Sequence, residues 1–190
     1  TGCMIMRFLP HLLLVATSFL ILSCSKSPEM SKITGYAQGT TYNLTFELPA
    51  DTNVPLSRIE EAVNEELARM DLVLSNYRDD SQIEQFNDQQ STDPVEVDAE
   101  MVELVEIARV IHRASNGCYD LTIKPLFDLW GFKNDVFNPP SDDAIAATLA
   151  NVGLDNLETV DATHLRKKIP NLRIDVSSIG QGYAVERIVK

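Results

Sequence analysis

Cysteine is scarce in this chain of 190 residues: three occur, Cys3, Cys24 and Cys118. Cys3 lies upstream of the N-terminal apolar run and Cys24 just after its end, so the body of the chain keeps one thiol. It cannot close an internal disulfide, and the fold must stand on its core. Basic side chains are also few, with 16 Lys+Arg against 28 Asp+Glu and a formal net charge of −12. A nucleic-acid binder normally presents a basic face, so that class is excluded. A phosphate-bearing ligand would have to be met by backbone N–H groups or a metal. Of the histidines, His11 lies in the N-terminal segment, while His112 and His164 lack neighbours at metal-ligand spacing and read as surface residues. No Ser-His-Asp order, Cys/His cluster, repeat or low-complexity tract is visible. The apolar run Leu12 to Leu22 is shorter than the ~20 residues a membrane span needs.

What is present begins with that run. Arg7, the apolar core and Ser23-Cys24-Ser25 describe a secretory signal over residues 1–23, with Thr1-Gly2-Cys3 upstream of the start. Ile21-Leu22-Ser23-Cys24 resembles the lipobox of bacterial lipoproteins, which implies that Cys24 becomes the lipidated first residue; an ordinary cleaved signal with an incidental cysteine is the alternative. Residues 24–32 are a polar tether carrying a proline, and the domain runs over 33–190.

Within it, Tyr42, Leu44 and Phe46 alternate with Asn43 and Thr45, predicting a half-buried strand in Ile33–Leu48 after a Gly-rich bend at Gln38–Thr41. Ser57 to Glu60 reads as a capping box opening a helix to about Leu74, with Ile59, Val63, Leu67, Met70 and Leu74 on one face. A polar turn, 75–81, precedes one further helical turn over 82–87. A second long helix starts near Asp98, turns Met101, Leu104, Val105, Ala108 and Ile111 inward, and ends at a left-handed cap on Gly117.

The stretch Gly117 to Phe132 (GCYDLTIKPLFDLWGF) holds the only Trp. Pro125 in its middle predicts a strand or loop broken by a turn, ending at Trp130-Gly131-Phe132. Ser141 caps a third helix, Asp142 to Leu149; strands are expected at Leu157–Val160 and Leu172–Val176. Gly180-Gln181-Gly182 then opens a helix that Lys190 interrupts, which reads as a truncated chain. Helices and strands do not alternate regularly, so the class is α+β with a mixed or antiparallel sheet.

Asp175 at a strand end followed by a glycine-containing turn and a helix N-terminus forms a candidate anion site, though a tight turn without a ligand fits equally. Tyr77, in a polar turn, suits either stacking on a flat ring or ordinary half-exposure.

Four segments together resemble the ApbE family of FAD:protein FMN transferases. They are Gln38-Gly39-Thr40-Thr41-Tyr42; Leu74-Ser75-Asn76-Tyr77-Arg78 with Ser81 through Asn87; Gly117 to Phe132; and Ile174 through Ala184. The resemblance implies that Gln38 stands where the family usually has a methionine lining the FAD site. It implies that Tyr77 packs on the flavin nucleotide, and that Cys118, Tyr119 and Asp120 form a segment contacting FAD. Gln181 matches a further FAD contact, and Ala184 a residue whose backbone carbonyl binds magnesium. The implied reaction moves FMN from FAD to a Ser/Thr hydroxyl with Mg²⁺ and releases AMP. Two alternatives are an FAD pyrophosphatase yielding FMN and AMP, and a non-catalytic flavin-binding lipoprotein. The implied acceptors are flavoprotein subunits of membrane redox complexes. The implied location is the periplasmic face of the cell envelope, lipid-anchored, with the inner membrane favoured. In the family the metal-binding carboxylates and the base lie C-terminal to Lys190, so no catalytic residue is assigned.

Overall fold

A computed structural model describes residues 30–49, 51–132, 137 and 139–190. The segment expected to be a signal and Cys24 lie outside these residues. The chain forms two compact units, one drawing on residues 30–33 and 43–53 and the other on Thr34–Tyr42 and Val54–Lys190. The first holds the outer ends of a hairpin, β1 (Met30–Ala37) and β2 (Thr40–Glu47), which form a two-stranded sheet. Among the described residues, strand structure runs from Met30. The predicted alternation holds, with Tyr42, Leu44 and Phe46 half-buried between exposed Asn43 and Thr45. β1 itself was hidden because its apolar residues are too sparse to alternate.

In the second unit the hairpin closes through Gln38 and Gly39, at φ 51° and 75°. Positive φ at both central positions defines the tight turn whose twist matches paired strands. Next to it, Tyr42 lies across Gly35 and donates to Asn64 Oδ1 at 2.7 Å. A Cβ on Gly35 would come within 2.5 Å of the Tyr42 ring. Gly35→Ala is therefore expected to destabilise the protein by about 1–3 kcal/mol, the usual cost of overpacking, by pushing Tyr42 off Asn64. Urea denaturation checks this, and an unchanged midpoint would show that the ring moves freely.

Helix α1 (Leu56–Leu74) buries Val63, Leu67, Met70, Val73 and Leu74. It starts one residue before Ser57, with Pro55 at the N-cap and no side-chain cap bond, so the capping box does not form. Pro55 replaces it because its fixed φ suits helix entry. Ser81 caps α2 (Gln82–Asp88), accepting from Glu84 N, and Asp98 caps α3 (Ala99–Ala114), accepting from Glu100 N. α3 buries Met101, Leu104, Val105 and Ala108 as expected, and Gly117, at φ 82°, sends its N–H back to His112 O at 2.9 Å.

The stretch after Gly117 is helical rather than a broken strand. A 3₁₀ turn, Leu121–Ile123, leads into α4 (Lys124–Trp130), because Pro125 sits in the first turn, where a missing N–H costs nothing. Trp130 stays half-exposed and stacks on Phe137 at 5.8 Å. Helix α5 (Asp142–Leu149) has the predicted bounds and its Ser141 cap.

A three-stranded antiparallel sheet follows in the order β3-β5-β4, with β3 Val95–Glu96, β4 Leu157–Asp161 and β5 His164–Lys167. Leu172–Val176 does alternate, burying Leu172, Ile174 and Val176, but among the described residues it pairs with no strand. Its backbone groups go instead to Leu121 O and to the side chains of Asn76 and Asn87. Helix α6 (Ser177–Val189) closes the described chain and packs on α1. Among the described residues no helix is long and apolar enough to cross a membrane.

Candidate functional site

A cleft of about 690 Å³ lies where the hairpin turn, the end of α1, the 75–78 loop and the start of α6 meet. Gln38, Tyr77 and Gln181, far apart in sequence, all line it. Gln181 Nε2 donates to Gln38 O at 3.4 Å, linking α6 to the turn. Tyr77 is 78 % exposed and Tyr36, also in the lining, 71 %, so two aromatic faces stand open at the cleft. Gly180 is buried in the lining, yet a Cβ there would meet only Val176 Cγ2, at 4.0 Å. The protein's own packing does not require glycine at that point, and bare backbone keeps the wall open to a ligand.

The glycines do not open the helix. α6 starts at Ser177, and Gly180 N already donates to Val176 O at 2.7 Å. Asp175 Oδ1 takes the N–H of Ser177 at 2.8 Å, so a carboxylate occupies the helix N-terminus. The free N–H anion site expected at Gly180–Gly182 is therefore absent; the glycines shape a wall instead.

Cys118, Tyr119 and Asp120 lie outside the cleft lining. Cys118 is exposed. The Tyr119 hydroxyl sits 3.2 Å from Ser178 Oγ, one residue past the lining Ser177, and burial pushes its phenol above the usual range. Asp120 is committed to the fold: Oδ1 accepts from Thr122 N at 2.8 Å and Thr122 Oγ1 at 2.6 Å, while Oδ2 accepts from Leu154 N at 3.0 Å. His112, read from sequence as a surface residue, has its Nδ1 2.6 Å from Tyr119 O and so holds this segment to α3. His164 Nδ1 lies 2.9 Å from Asp161 Oδ1 beside the β4–β5 turn.

The sequence reading missed Tyr36, Asp71, Asn76 and Arg78 in the lining. Burial raises the Asp71 carboxyl, and Arg78 partly opposes this. Arg78 itself grips Asp80 through two bonds of 2.9 and 2.8 Å. Asp71, a lone carboxylate between Met70 and Leu74 on a helix, was the one local signal available. Ala184 is buried on α6, one turn beyond Gly180. No group of three or more His, Cys, Asp or Glu among the described residues could hold a metal.

Fold and cleft together define an α+β protein with an open, aromatic-lipped pocket, sized for a small-molecule ligand. The chain belongs to the ApbE family, whose model matches residues 38–190. It is 29% identical over 190 residues to an FAD:protein FMN transferase of Escherichia coli K12, covering 93% of this chain and 54% of that protein. It is 32% identical over 185 residues to an FAD:protein FMN transferase of Vibrio cholerae, covering 92% and 52%. Among solved structures, the flavin transferase ApbE of Vibrio cholerae matches with a TM-score of 0.79 at 28% identity, over 85% of this chain and 52% of that one. The apo flavinyl transferase ApbE of Pseudomonas stutzeri matches with a TM-score of 0.79 at 31% identity, over 85% and 52%. The chain spans about half the length of the relatives it matches.

Proposed function

We propose that the protein carrying this chain transfers FMN from FAD to a Ser/Thr hydroxyl of an acceptor flavoprotein and releases AMP, and that this chain supplies the FAD cleft. The observation that carries the reading is the meeting of Gln38, Tyr77 and Gln181 in one cleft, in a member of a family whose relatives are named for this reaction. In the proposed step the acceptor hydroxyl oxygen bonds to the FMN-side phosphorus. The pyrophosphate P–O bond breaks, its bridging oxygen leaves with AMP, and the hydroxyl proton passes to a base or solvent. Gln38 and Gln181 offer amide and carbonyl groups to the ligand's polar edge, and Tyr77 its ring face. Cys118 to Asp120 act at the periphery, through Tyr119 against the start of α6.

Mg²⁺ would screen the pyrophosphate charge. The described residues alone do not fit it: Ala184 provides one backbone oxygen, and no acidic cluster accompanies it. The remaining ligands would lie in sequence equivalent to the part of the relatives that this chain does not span. Cys24 is proposed as a lipid anchor holding the protein at the periplasmic face of a bacterial membrane, where the acceptors are subunits of redox complexes.

The test is to incubate the full-length protein with FAD, Mg²⁺ and an acceptor domain and weigh the acceptor. A mass gain equal to FMN is expected; no adduct with FAD intact would sink the reading, and AMP released without acceptor would favour a pyrophosphatase. Tyr77→Ala is expected to weaken FAD binding by about 5- to 150-fold, since base–aromatic stacking contributes about 1–3 kcal/mol. Unchanged affinity in a fluorescence titration would remove Tyr77 from the site.

A further inference from the structure

We infer that the buried carboxylate of Glu84 is a positioning group for the cleft, acting through the amide of Asn76; this rests on the FAD reading above. Glu84 is 1 % exposed. Its Oε1 accepts from Asn76 Nδ2 and from Asn87 Nδ2, both at 2.9 Å, with Lys124 Nζ at 3.2 Å. Its Oε2 faces Arg173 at 3.4 Å. A carboxylate paired with two cations has no hydrogen to give, so both amides must turn their NH₂ groups toward it. Each Oδ1 then faces the other way. Asn76 Oδ1 takes the N–H of Val176 at 2.9 Å, and Asn87 Oδ1 takes the N–H of Ile174 at 2.7 Å. The second hydrogens of both amides bond Ile174 O, at 3.1 and 2.9 Å.

The two amides are alike toward Glu84 but differ in where they lead. Asn76 and Val176 line the cleft, and Tyr77 and Ser177 follow them directly in the chain. Asn87 and Ile174 are buried away from the lining. The carboxylate therefore sets the cleft wall through one amide and the extended segment behind it through the other. A reversed Asn76 would set its oxygen against Glu84 and its NH₂ against the Val176 N–H, releasing the wall at the start of α6.

This difference makes the test. In the full-length protein, Asn76→Asp and Asn87→Asp both place a carboxylate against Glu84, and both are expected to lower the thermal midpoint. At a temperature well below both midpoints, Asn76→Asp is expected to weaken FAD binding by about ten-fold or more, the loss of a buried charge-assisted hydrogen bond. Asn87→Asp should bind FAD as the unaltered protein does. Adding Glu84→Gln to Asn76→Asp removes the facing pair of like charges and should recover part of the affinity; recovery stays partial because Asn87 Nδ2 and Lys124 Nζ share the same Oε1. Should Asn76→Asp not fold, Asn76→Ala against Asn87→Ala carries the same expectation. Equal FAD affinity in all variants, equal losses at both asparagines, or no recovery in the double variant would each overturn the inference. Failure of the unaltered protein to bind FAD would overturn the flavin reading itself, a separate and recognisable result.

Discussion

Replacing Phe86 by alanine is expected to lower stability by about 3–5 kcal/mol, the range for deleting a fully buried phenyl ring. Phe86 is 1 % exposed and lies on α2, a helix of seven residues. So short a helix has almost no stability of its own and exists through what it buries, here Ile83 and Phe86. The ring also lies 4.9 Å from Lys167 Nζ, and a desolvated cation–π pair contributes about 2 kcal/mol. Phe86→Leu keeps most of the volume without the π face and should lose less. Chemical denaturation of both variants measures the difference. A loss below about 2 kcal/mol for the alanine would mean that the surrounding side chains collapse into the space.

The second large effect concerns pH. Lys167 is fully buried on β5, donating to Asn87 O at 3.1 Å and Gln89 O at 2.8 Å. Burial lowers its ammonium to about 8, with Arg173 adding to the shift and Asp88 opposing it. Below pH 8 folded and unfolded chains both hold the proton, and the cost of burying the charge is fully present. Between pH 8 and about 10.5 the unfolded chain keeps a proton that the folded one has lost, so this group makes stability rise with pH, by up to about 3 kcal/mol. The difference between the unaltered protein and Lys167→Met, followed from pH 7 to 10.5, isolates the effect because other titrations cancel. A flat difference would show that the two carbonyls and the Phe86 ring compensate for desolvation entirely.

Lys167 also explains why part of the fold was illegible. β5 reads His-Leu-Arg-Lys, and nothing in that composition announces a central strand whose lysine points into the core. Helices α1 and α3 were legible because their apolar spacing is regular, and α3 and α5 because Asp98 and Ser141 cap them where expected. Pro125 misled because proline stops a helix from inside but starts one from its first turn. Leu172–Val176 has the alternation of a strand, and no local pattern reveals that its partners are side chains. At the site, Gln38, Tyr77 and Gln181 came from the family resemblance and share the cleft. Tyr36 and Asp71 became visible only once the hairpin turn and α1 were brought together. Asp120 matched a family position, while its carboxylate is spent on Thr122 and Leu154.

The extended run before α6 has one more consequence. An unpaired β-like segment offers a template on which a strand from another molecule can grow, the usual route to edge-to-edge aggregation. Here the N–H groups of Leu172, Ile174, Asp175 and Val176 are already taken, by Ile169 O, Asn87, Leu121 O and Asn76. Two asparagines thus do what a neighbouring strand would do, and the segment has few hydrogen bonds left to offer an intruder.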